Sequence, residues 1–170
     1  MKRLIYFGLL AGFINIIGWF VLDAIFQGDN FDFSLGETLG YTAMLIALST
    51  VFFGVKSYRD KELEGRITFK SAFLKGLIIV AIASLIYVIG WEIYYPNFQA
   101  DFGEKYSAYL ISNLEEQGLS SAEIAAEKAN MDDWMEKYES PLYRIPMTLM
   151  EIFPLGLIVA VISALILKRK

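Results

Sequence analysis

The chain has no cysteine and no histidine among its 170 residues. That excludes disulfides, thiolate nucleophiles and histidine-based triads. It also excludes metal centres built on Cys or His, and haem held by either. Any chemistry falls to Asp, Glu, Arg, Lys, Tyr, Ser or Thr, and no cofactor and no metal site is expected. Charge is also sparse: 20% of residues are charged against 56% hydrophobic, with a net charge of −4. A soluble domain of this length does not carry so many uninterrupted apolar runs.

What is present are four long apolar segments, residues 4–26, 35–55, 73–95 and 145–167. About 20 residues at about 1.5 Å rise cross a hydrocarbon core of about 30 Å, so each is long enough to span a bilayer as a helix. The sequence therefore predicts an all-α integral membrane protein. It is a four-helix transmembrane bundle forming a single membrane domain over residues 1–170, with the lipid bilayer as its first partner. Met1-Lys2-Arg3 and the apolar run behind it superficially resemble a signal peptide. The run is too long for one and lacks a small-residue cleavage site, which predicts a retained first span.

Basic residues sort by joint. Lys2 and Arg3 precede the first segment, and Lys56, Arg59, Lys61, Arg66, Lys70 and Lys75 flank the middle joint. Lys168, Arg169 and Lys170 follow the fourth segment. By the positive-inside rule both termini and the middle loop are expected to be cytoplasmic. The first outer joint, residues 27–36, is short and acidic, with Asp29 and Asp32. Gly65 before Arg66-Ile67-Thr68-Phe69 predicts a turn in the inner loop.

The second outer joint holds ten acids against Lys105, Lys128 and Lys137. Phe98, Phe102, Tyr106, Tyr109, Leu110 and Leu114 recur at helical spacing. Gly118 is a natural stop, and Ser120-Ser121-Ala122-Glu123 reads as a capping box. Ile124, Met131, Trp134, Met135 and Tyr138 give a second stripe. An extracytoplasmic helical hairpin over residues 97–140, between spans 3 and 4, is expected. Its stripes read either as mutual packing or as a docking surface for a periplasmic or membrane protein partner. Its acidity argues against nucleic acid.

Two features could carry function inside the spans. Small residues recur at every fourth position, at Gly8 and Gly12, Gly36 and Gly40, and Gly156, Ala160 and Ala164. They suit close helix approach within the chain or in a homo-oligomer. Ile-Gly-Trp occurs at residues 17–19 and again at 89–91. Polar residues in apolar segments, namely Asp23, Glu92, Glu151, Arg144 and Asn15, form a candidate polar or ion site, because a carboxylate in lipid needs a partner, a proton or water. Pro154, three residues after Glu151, is expected to kink the fourth helix. Arg144, seven residues before Glu151, is placed to reach Glu151, Glu92 or Asp23.

Gly40–Met44 through residues 53–60, together with YVIGWEIYY at 87–95 and LMEIFPLGL at 149–157, resemble a bacterial membrane family known as domain of unknown function 4199. The resemblance covers essentially the whole chain. It implies a four-span bacterial protein and no assigned activity. The combined expectation is a non-enzymatic scaffold, accessory or partner-binding protein of the bacterial inner membrane. The alternative is a small ion- or proton-coupled transporter or channel-like protein using the intramembrane carboxylates.

Overall fold

The computed structural model describes residues 1–25 and 33–169. Phe26, residues 27–32 of the expected acidic joint, with Asp29 and Asp32, and Lys170 lie outside the described residues; the rest of that joint opens α2. The helices run α1 Lys2–Ile25, α2 Phe33–Leu48, α3 Thr50–Glu62, α4 Phe69–Phe98, α5 Phe102–Glu116, α6 Ser121–Tyr138 and α7 Pro141–Leu167. Four stretches are long and apolar enough to cross a membrane: α1, the α2–α3 run Phe33–Glu62, α4 and α7. This is the expected all-α architecture, with the α5–α6 hairpin between spans three and four. Large apolar side chains lie on the outside of these helices. Ile17, Phe13 and Phe20 on α1 and Ile93 and Leu85 on α4 are exposed. Lipid, not water, suits such a surface.

The chain divides into two compact units, Met1–Trp91 with Thr148–Lys170, and Glu92–Met147. The first holds the core, where Leu4, Leu48, Val51, Val55, Ile79, Val80 and Ile152 are fully buried. Small residues set its helix spacing. A Cβ added to Gly8 would stand 2.7 Å from Cβ of Ile82, and one on Gly12 would stand 2.5 Å from Cβ of Ile86. Gly54 is as crowded by Ile79 and Phe7. Gly156 packs on Val80, and Gly76 packs on Ala160. The GxxxG of α1 and the small-residue stripe of α7 are thus both spent against α4 within one chain, as close backbone approach in lipid requires. Gly40 differs, with nothing within 4 Å of an added Cβ.

The second span is interrupted at Ser49, where the backbone stays helical (φ −57°, ψ −23°). The Ser49 and Thr50 hydroxyls donate to the carbonyls of Ile46 (2.6 Å) and Ala47 (2.7 Å), drawing off acceptors of the helical ladder. Beyond α3, Glu64 (φ 53°) and Gly65 (φ 82°) make the expected turn. The chain then pairs with the segment after α7. Ile67 N donates to Arg169 O (3.1 Å), and Arg169 N donates to Ile67 O (2.8 Å). Arg59 is buried beside this tie, and its Nη1 donates to the Leu167 carbonyl at 3.2 Å. That carbonyl belongs to the last turn of α7, where helices leave acceptors unpaired and favour cations.

In the second unit α4 runs through Pro96 to Phe98, three residues past the predicted span. Phe98, assigned from sequence to the hairpin stripe, therefore ends α4 and stacks on Tyr94 at 5.2 Å. Pro96 offers no N–H to the carbonyl of Glu92, yet the helix runs on for two more residues before it ends. α7 opens with Pro141 at its first position, where a missing N–H costs nothing. It continues past Pro154 to Leu167 as one helix.

The hairpin folds as its sequence reads. Gly118 has φ 76° and ends α5. The capping box of α6 closes, with Ser120 N and Oγ donating to Glu123 Oε2 at 2.9 and 2.7 Å. These donors hold the Glu123 carboxyl below the usual carboxylate range. The Lys105 ammonium beside Asp101 does the same for that residue. A depressed carboxylate stabilises the folded state above its unfolded pKa of about 4 and loses that contribution as pH falls through its folded value. Hydrogen-exchange protection of the α6 N-terminus is therefore expected to decline as pH drops below about 4. The Ser120→Ala variant is expected to start from lower protection and to show a shallower decline. A pH-independent profile in the native chain would contradict this account of the cap.

Candidate functional site

Two clusters emerge from the five polar residues singled out in the spans, one in each unit. In the second unit Arg144 and Glu92 meet. Arg144 Nε donates to Glu92 Oε1 at 2.9 Å, and Nη2 donates to Oε2 at 2.8 Å, a bidentate fork. Nη1 donates to the carbonyls of Tyr138 (3.0 Å) and Glu139 (3.2 Å) at the end of α6. The guanidinium lies over the rings of Tyr95 (4.9 Å) and Tyr138 (5.9 Å). Tyr138 also stacks on Trp134 at 4.9 Å. The Arg144 side chain is 5% exposed and that of Glu92 is 20% exposed. All three nitrogens donate, and both ring contacts are internal. One cation joins α4, the C-terminus of α6 and the start of α7, so the chemistry here is that of a structural joint.

In the first unit Glu151 belongs to a different set. The Tyr87 hydroxyl of α4 donates to its carboxyl, and Glu37 of α2 is its electrostatic neighbour. Tyr41, one turn after Glu37, lies in the field of both carboxyls. Tyr87 is buried, while Glu151, Glu37 and Tyr41 are exposed on the flank of the helices. Three residues before Tyr87, Ser84 Oγ is buried with no hydrogen-bond partner among the described residues. Asn15 is buried, and its amide donates to its own helix at Ala11 O (3.1 Å), which accounts for its place in an apolar segment. Asp23 lies in the last turn of α1.

Sequence reading named Glu151 but not the tyrosines near it. A tyrosine at position 87, well inside an apolar run, was the signal available. Trp19 and Trp91, from the repeated Ile-Gly-Trp, meet edge-on at 5.2 Å, and Trp19 also packs on Tyr87 at 4.9 Å. Among the described residues no group of three or more Asp or Glu side chains is placed to hold a metal ion.

These features define an all-α, multi-pass membrane protein with four candidate spans and a helical hairpin between the third and fourth. The chain belongs to the DUF4199 family, described as "Protein of unknown function", whose model matches residues 6–169. No curated protein and no solved structure matches it.

Proposed function

We propose that the protein is a non-enzymatic scaffold or accessory protein of the bacterial inner membrane. In this reading both termini are cytoplasmic, and the acidic α5–α6 hairpin faces outward to engage a partner carrying basic residues. The Arg144 joint is the observation that supports it most directly. A buried, fully used guanidinium fixes the C-terminus of α6 to the ends of α4 and α7, giving a firm base to a hairpin whose charge is overwhelmingly negative. A firm base lowers the ordering cost of binding, and the acidic field would steer a basic partner.

The test is photocrosslinking in intact membranes from Asp132 or Glu136, both exposed on α6. A discrete adduct with a second protein is expected. Reversing the exposed acids Glu115, Glu116 and Glu127 to lysine should abolish it while leaving the melting of the bundle unchanged. Adducts with lipid alone would sink the proposal.

A second reading, a small ion- or proton-coupled carrier, is favoured by the Glu151–Tyr87–Tyr41–Glu37 set, because carboxyls in a membrane segment are costly and mark ion or proton pathways. Its test is flux across proteoliposomes with Glu151→Gln. A flux lost while folding is intact supports it, and a flux that is unchanged counts against it.

A further inference from the structure

The two intramembrane glutamates are in opposite electrostatic situations. Glu92 is matched by a bidentate guanidinium. Glu151 has no cation among its described partners. The groups that act on it are the Tyr87 hydroxyl from α4 and the Glu37 carboxyl from α2, and Tyr41 lies in the field of both acids. Its own helix flank offers the exposed apolar side chains Met150 and Ile158.

A carboxylate facing hydrocarbon is costly. A second carboxylate nearby raises that cost further, because two like charges resist joint ionisation. A tyrosine hydroxyl donates to a carboxylate and accepts from a carboxylic acid equally well. It therefore holds the group in place through a change of protonation.

We propose that Glu151, exposed among apolar side chains on the flank of α7, is a reversible proton-binding site facing lipid, with Tyr87 as the residue that positions its carboxyl. Loading forms one O–H bond on the Glu151 carboxylate. Unloading breaks that bond and passes the proton to water, and no electron moves. The site does not depend on transport: it serves a scaffold as a protonation-sensitive contact and a carrier as a coupling group.

The experiment uses the full chain in lipid nanodiscs and the hydrophobic reagent dicyclohexylcarbodiimide, which adds to protonated carboxyls within a bilayer. Peptide mapping is expected to place the adduct on Glu151 and to leave Glu92 unmodified. Above its midpoint, labelling should fall about tenfold per pH unit. Tyr87→Phe should displace that midpoint, whereas a Tyr87 that only fills space would leave it unmoved. Infrared spectra of the same samples guard against a reagent that cannot reach the site. A protonated-carboxyl band should be present in the native protein, titrate with pH and vanish in Glu151→Gln. No such band at any pH from about 5 to about 9, or a band that persists in Glu151→Gln, overturns the proposal. So does labelling of Glu92 equal to that of Glu151.

Discussion

Arg144→Met is expected to loosen the base of the hairpin and to cost about 3 kcal/mol or more, the range seen when one partner of a buried ion pair is removed. Three losses coincide. The Glu92 carboxylate keeps its charge without the fork that matched it. The Tyr138 and Glu139 carbonyls lose their donor at the end of α6. The Tyr95 and Tyr138 rings lose the cation between them. Arg144→Lys should rescue little, because one ammonium cannot make a planar fork and also reach two carbonyls. Combining Arg144→Met with Glu92→Leu should recover part of the loss, since no uncompensated charge remains. Melting in detergent and limited proteolysis of residues 99–140 report the effect. A single variant that melts and resists protease like the native chain would remove Arg144 from its structural role.

Gly12→Leu should also be damaging, by a different route. The added Cβ alone would lie 2.5 Å from Ile86 Cβ, and Cγ2 of Ile86 is equally near. Neither neighbour can move as the end of a flexible chain does, so α1 must separate from α4. Overpacking of this kind costs about 1–3 kcal/mol and occasionally more. Here it also breaks the register that Gly8 shares against Ile82. Ile86→Ala should restore part of the yield of folded protein on size-exclusion chromatography. Gly40→Leu, with open space around it, should be nearly silent. If Gly12→Leu alters only oligomeric state and leaves the protomer stable, the α1–α4 seam is misassigned.

Span number, the hairpin and its cap were legible because their signals are local. Twenty apolar residues in a row, a Gly followed by Ser-x-x-Glu, and aromatic positions at helical spacing all declare themselves without tertiary context. Span ends were less so, since Pro96 reads as a breaker and α4 nonetheless runs on to Phe98. The break at Ser49 depended on hydroxyls turning back to carbonyls three residues earlier, which composition does not reveal. For the polar residues, sequence gave Arg144 three candidate acids and could not choose among them. The choice of Glu92 rests on the rotation of α4 and α7 about their axes. Helices apolar on all sides carry no amphipathic stripe from which to read that rotation. The same ambiguity hid the pairing of Tyr87 with Glu151.

The pairing of Ile67 with Arg169, and of Arg59 with the Leu167 carbonyl, joins residues far apart in the chain, 108 positions in the second case. Local contacts form early in folding, whereas a closure of this length waits for everything between its ends. During biosynthesis the partners of Ile67 leave the ribosome only after the fourth apolar helix has been made. The loop after α3 must therefore wait, with its backbone amides open, while the last helix inserts. Slow deuterium uptake at the Ile67 amide thus marks a molecule whose insertion is finished, and rapid uptake there marks one that stalled with three helices in place.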